Sequence, residues 1–196
     1  MTQLIGQTSD QRTIHPGRSW EQFKLIQKGF EGSPGVRLFF YNGTIEILMP
    51  GSEHEFFKSI IGMLIEIFFL EKEIEFAPTG AVTQEKEGIA SAQADESYCI
   101  GSLKPIPDFS IEVVFTSGGV SKLERYRLLE VPEVWFWEDG LFSLYRLRRD
   151  AYERIDCSEV PELADLDFEL LARCVLIAQT SRLAAAQEFR RAIQSK

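Results

Sequence analysis

Three acidic residues and one lysine stand out by where they fall. The stretch PIPDFSIEVVFTSG puts Phe109, Ile111, Val113 and Phe115 on one face of a strand and Val114 on the other. Asp108 and Glu112 lie inside this apolar run. Burying a charge is costly unless it is paired, so two carboxylates in a core strand point to chemistry. At ~3.3 Å per residue their Cα atoms stand roughly 13 Å apart, which does not suit one shared metal ion. Glu112 needs a partner from elsewhere.

The preceding run offers one. If residues 101–107 connect two antiparallel strands, Ile100 lies opposite Pro107 and Asp95 opposite Glu112, with Cβ atoms ~5 Å apart. A bulge or a shorter connection would bring Asp95 near Asp108 instead. Like charges this close destabilise a sheet unless a cation neutralises them. A divalent ion does so, and Mg²⁺ takes one or two carboxylates while keeping several waters. Such a face supports metal-assisted phosphodiester hydrolysis. Lys122 is the first basic residue after the strand. Its stem can reach back over the strand end to orient a water or stabilise an oxyanion. The competing reading is structural: Asp108 opens a strand at a solvent edge, Glu112 faces water, and Asp95 belongs to a loop.

Several elements must position these residues. Ser19 caps a helix that carries Trp20, Phe23, Leu25 and Ile26. Asn42-Gly43 between two β-rich runs predicts a hairpin with strands at 36–41 and 44–49. Ser52 caps the next helix, whose apolar residues at 56, 57, 60, 61, 64, 65, 67 and 68 predict a broad buried arc. Glu53 and His54 sit in its first turn. A strand-like piece at 74–78 follows, then SAQADESYCI and PDFSIEVVFT as two strands, SKLERYRLLE as a short helix, and VPEVWFWED and LFSLYRLRRDAYERI as further strands. DLDFELLARCV and SRLAAAQEFRRAI read as C-terminal helices. The sum is an α/β or α+β domain.

The 196 residues, 44% of them hydrophobic, suit one domain over 17–196 behind a mobile tail at 1–16. The most apolar run, 56–70, is broken by Lys58, Ser59, Gly62 and Glu66, so no membrane span is expected. No basic start leads into an apolar stretch, which argues against a secretory signal and for a cytoplasmic location. Cys99, Cys157 and Cys174 are far apart and odd in number, which fits neither a disulfide framework nor a zinc site. The net charge of −9 opposes binding to phosphate backbones, although it suits a collector of divalent cations.

PDFSIEVVFTSGGVSKLERYRLLEVPEVWFWEDGLFSLYRL closely resembles the core of the Uma-two family of restriction endonuclease-like proteins, a branch of the PD-(D/E)XK nuclease superfamily. GTIEILMPGSEHE and ADESYCI extend the resemblance, which covers roughly residues 20–170. It implies a restriction-endonuclease-like core with a mixed β-sheet flanked by helices, a Mg²⁺ or Mn²⁺ site, and DNA as substrate. By position, Asp95 matches the first acidic metal ligand and Glu112 the second. The superfamily lysine is normally two residues after that acid, where this chain has Val114, and Lys122 matches a lysine moved to the following helix. Asp108 matches a second Pro-Asp, and Glu53 with His54 matches a helix-start position that assists the metal. Ala94 stands where the family usually has proline. The acidic balance is reconciled with DNA by a local positive face around Lys122, Arg125 and Arg127, or by a homodimer that sets two sites on a duplex.

The leading reading is a Mg²⁺-dependent DNA endonuclease. The alternative is a catalytically inactive nuclease fold serving as a dimeric binding or regulatory module. A metal-dependent hydrolase of another phosphate ester is the third. Trp135 and Trp137 are expected to pack in the core. Arg182, Arg190, Arg191 and Lys196 are expected to form a solvated, mildly basic helix face.

Overall fold

The computed structural model describes residues 9–33, 35–80, 82–115 and 122–195. Among the described residues, eleven strands form two sheets. The first contains β1 (Gln11–Pro16), β2 (Arg37–Tyr41), β3 (Thr44–Met49), β5 (Gln84–Lys86) and β6 (Ala90–Ala92), ordered β1-β3-β2-β6-β5. The second contains β4 (Phe76–Pro78), β7 (Glu96–Ile100), β8 (Phe109–Val114), β9 (Glu133–Glu138), β10 (Leu141–Leu147) and β11 (Tyr152–Ile155), ordered β11-β10-β9-β8-β7-β4. β8 and β9 are parallel, joined over α3 (Leu123–Leu128), while the other pairs are antiparallel. The sheet is therefore mixed, as expected.

Local chemistry explains the elements. α1 (Trp20–Gly29) starts at a reciprocal cap in which Ser19 and Gln22 each bond the other's backbone N–H. The β2–β3 hairpin turns on Asn42 and Gly43, both at positive φ (45° and 66°), as a tight two-residue turn requires. α2 (Ser52–Glu71) buries Phe57, Ile60, Ile61, Leu64, Ile65, Ile67, Phe68 and Phe69. Each such side chain contributes roughly 1.5–3 kcal/mol, so α2 is a fixed platform for its first turn. With α4 (Phe168–Ile177) and α5 (Arg182–Gln194) it covers the face of the second sheet formed by Phe109, Ile111, Val113, Trp135 and Trp137. The opposite face, with Val114, Val134 and Phe136, packs on α3 and on Phe39, Leu48 and Ala92 of the first sheet. No described helix is long and apolar enough to cross a membrane.

Three expectations need correction. Residues 11–16 are not a tail: β1 pairs along the whole of β3, from Gln11 against Met49 to Pro16 against Thr44. Alternation in that segment is too weak to reveal an edge strand that exposes most of its side chains. Ser52 does not cap α2; Asp10, from just before β1, accepts the Gly51 N–H at 2.8 Å instead. SAQADESYCI is two strands in two sheets, with Gln93, Ala94 and Asp95 at the handover between β6 and β7. Residues 1–8 and Lys196 lie outside the described residues.

Candidate active site

The β7–β8 register runs from Tyr98 against Phe109 to Glu96 against Ile111. Asp95, just before β7, leaves this register by one residue: its N–H donates at 3.0 Å to the carbonyl of Ile111, which Glu96 already opposes, so two residues face one as in a β-bulge. The Asp95 carboxylate reaches the N–H of Val113, next to Glu112, which brings the two acids into one cluster. Both carboxylates are buried, at 0% and 1% exposure.

Every carboxylate oxygen of the two has a partner. Asp95 Oδ2 accepts the Val113 N–H at 2.6 Å. Asp95 Oδ1 lies 2.7 Å from His54 Nε2 and also meets the Arg37 guanidinium. Glu112 Oε2 accepts from Lys122 Nζ at 2.6 Å, and Glu112 Oε1 accepts from the Tyr126 hydroxyl. Burial alone pushes Glu112 up, yet the Lys122 charge and the bonds from Lys122 and Tyr126 outweigh it and hold the acid below its ordinary range. Burial and then the Glu112 charge push the Tyr126 hydroxyl well above its ordinary range.

A second layer adds charges to the same small cleft, which Asp10, Arg12, Glu46, His54, Phe115 and Lys122 line. Glu46 on β3 sits between Arg12 Nε at 2.7 Å and Arg125 Nη1 at 2.9 Å. Burial raises Glu46, but Arg125 and then Arg12 more than reverse the shift. His54 Nδ1 lies 2.9 Å from Asp10 Oδ2. Burial pushes His54 down, against the Asp10 hydrogen bond. A neutral imidazole carries one N–H, so it donates to one of Asp10 and Asp95 at a time. Arg37 also pairs with Glu55 at 2.9 Å.

Asp95, Glu112, Lys122 and His54 thus come together. Asp108 does not join them. It stands at the other end of β8, where its Oδ2 accepts the Ile100 N–H at 2.7 Å and Lys104 Nζ at 2.6 Å, closing the 101–107 turn. Glu53 is exposed and does not line the cleft. Asp10, Glu46, Arg37, Arg125 and Tyr126 complete the cluster and were not singled out beforehand, Arg125 excepted as part of a positive face. Two had a signal. Glu46 in TIEIL breaks an apolar strand as Glu112 does, and Tyr126 follows Lys122 by the four residues that align side chains on a helix.

Do these residues fit a divalent ion? The donors are hard carboxylate oxygens from two paired strands, which suits Mg²⁺ or Mn²⁺. Among the described residues no three His, Cys, Asp or Glu converge on one ion position, so one or two carboxylates would carry it. Arg37 already pairs with Asp95 and Lys122 with Glu112, so both acids have a protein cation beside them. An ion would compete with both.

Two β-sheets, one of them mixed, packed with helices make an α/β architecture consistent with a restriction-endonuclease-like fold. The family model described as "Uma2: Putative restriction endonuclease" matches residues 20–173, and the chain belongs to that family. The match takes in Asp95, Glu112 and Lys122; it leaves out Asp10, Arg12 and α5. No curated protein matches the chain.

Proposed function

We propose that the protein is a metal-dependent DNA endonuclease in which Asp95 and Glu112 hold Mg²⁺ or Mn²⁺. The observation that supports the reading is the buried cluster in which Asp95 reaches the Val113 N–H beside Glu112 and Glu112 accepts from Lys122. When bound, the ion would supply Lewis acidity to the phosphate and lower the pKa of a bound water. Val113 N–H and His54 hold Asp95 in a fixed orientation. The Lys122 ammonium is delivered to the Glu112 carboxylate, where it orients the attacking water or stabilises the developing oxyanion. A homodimer would set one such site against each strand of a duplex; sedimentation equilibrium tests that.

One observation favours a second reading. With Arg37 and Lys122 as built-in counterions, the fold is electrically complete without metal and can serve as an inactive binding module. Calorimetric titration of Mn²⁺ into the wild type, Asp95→Ala and Glu112→Ala separates the two. Heat in the wild type that is lost in both variants, with circular dichroism unchanged, supports the nuclease. No heat at millimolar metal, with or without a short DNA duplex, sinks it.

A further inference from the structure

Four apolar side chains line the cleft. Leu48, Val113 and Val114 are buried, whereas Phe115 is 43% exposed. The alternation of β8 puts Phe115 in line with the core residues Phe109, Ile111 and Val113, yet it lies beyond the last strand residue, at the cleft mouth. Exposed apolar residues scattered singly need no explanation. Phe115 differs in being held. Its ring packs against His54 at 5.9 Å and Phe57 at 5.7 Å, and Phe57 leans on Trp137 at 5.9 Å. A buried aromatic column thus fixes one side of the ring and leaves the remainder to solvent, three residues from Glu112.

Charge points the same way. Among the described residues, the cations in and around the cleft are Arg12, Arg37, Lys122 and Arg125, and each is paired with Glu46, Asp95 or Glu112. The chain carries −9 overall. Little uncompensated positive charge is left to track a duplex backbone, which is how duplex binders gain affinity. Stacking on an aromatic face needs no net charge and works on any base that is free of its pair.

We infer that Phe115 is a stacking platform for an unpaired base beside the phosphate that is cut, so that the substrate is DNA with single-stranded character. The inference rests on the nucleic-acid reading of the site and narrows it, because a paired base cannot offer its face to a side chain. The strip continues on α2: Phe56 meets Phe57 edge-on at 5.4 Å, and the exposed Arg182 guanidinium lies 5.4 Å over Phe56. Arg182 comes from α5, outside the family match, and also donates to Ser59 Oγ at 3.2 Å, which holds its guanidinium over Phe56.

The test uses a short single-stranded oligonucleotide carrying 2-aminopurine, with phosphorothioate links that resist cutting, titrated with the full chain in Mn²⁺. Stacking quenches the fluorophore. The expected result is quenching by the wild type, affinity about 5- to 150-fold weaker for Phe115→Ala, recovery in Phe115→Trp, and weaker binding of the matched duplex. Affinity should fall only shallowly with salt. Equal affinity of wild type and Phe115→Ala, or tighter binding of the duplex, overturns the inference. The two proposals fail separately. Duplex cleavage indifferent to Phe115→Ala sinks the stacking role and spares the nuclease. Quenching by a chain that cuts no phosphodiester strand does the reverse.

Discussion

Lys122 and Tyr126, one helical turn apart at the start of α3, grip the Glu112 carboxylate from both sides, with the Lys122 ammonium 2.6 Å from Oε2 and the Tyr126 hydroxyl on Oε1. α3 is only six residues long, so its position depends on this grip and on the burial of Leu123, Tyr126 and Leu129. The same contact therefore ties the lysine to the acid and the helix to the sheet.

Removing the lysine charge should show both roles. Lys122→Met leaves Glu112 buried with only Tyr126 and should cost about 3–5 kcal/mol near neutral pH. The pH dependence has a definite sign. In the wild type the folded pKa of Glu112 lies below its ordinary value, so its contribution is complete above that ordinary value and is lost as pH falls through the folded one. In the variant burial is opposed only by the Tyr126 bond and the Arg125 charge, so the folded pKa rises and the penalty shrinks as pH falls towards it. Urea unfolding at about pH 7 and about pH 5 checks this; a penalty that is constant or grows on acidification contradicts it.

Tyr126→Phe deletes one hydroxyl and keeps the ring in the core. Glu112 Oε1 then loses its partner inside the protein, at a cost of about 1.5–3 kcal/mol for a bond to a charged group. Thermal unfolding measures it. A loss under ~0.5 kcal/mol would mean that water reaches Oε1 and that the cleft is wetter than its burial indicates.

Much of this arrangement was legible in the residues. Asp95 and Glu112 could be brought together because setting Ile100 against Pro107 fixes a register, and β7 and β8 keep it as far as Glu96 against Ile111, where Asp95 steps out of it by one residue. The Asn42-Gly43 turn and the arc of α2 were equally plain, since each rests on chemistry within a few residues. Illegible were the contacts made at long range. Arg37, 58 positions before Asp95, and Arg125, 79 positions after Glu46, meet their acids only through the packing of the two sheets. Asp10 looked like part of a tail because its partners, Gly51 and His54, lie some forty residues on. Asp108 misled for the opposite reason: its acid does local work in a turn that a spacing argument cannot distinguish from chemistry.

Asp10 is the residue that fastens the first strand to the site. One carboxylate oxygen accepts the Gly51 N–H ahead of α2 and the other meets His54. Asp10→Ala should cost about 1–2 kcal/mol through the lost cap and loosen β1 first. Amide hydrogen exchange should then speed up over residues 11–16 while the protection of α2 beyond its first turn is kept. Uniform acceleration across α2 would show that the helix platform itself depends on this acid.

Arg37 gives the sharpest separation between a working nuclease and an electrically complete module. Its guanidinium sits on Asp95 Oδ1, an oxygen an ion would need, and is anchored on its far side by Glu55. Protein cation and metal compete for that oxygen, so their free energies are linked and one's loss is the other's gain. Arg37→Gln should destabilise the metal-free chain by about 3 kcal/mol, because Asp95 stays buried with one cationic partner fewer. In a nuclease the same change should tighten Mn²⁺ binding by about tenfold, roughly 1.4 kcal/mol, and the metal should restore part of the lost thermal stability. In a module whose arginine is a permanent counterion, the destabilisation appears alone and no metal restores it. Calorimetry and thermal unfolding of this one variant, with and without Mn²⁺, read both quantities. Because the stability loss is common to the two cases, only the sign of the change in metal affinity decides between them.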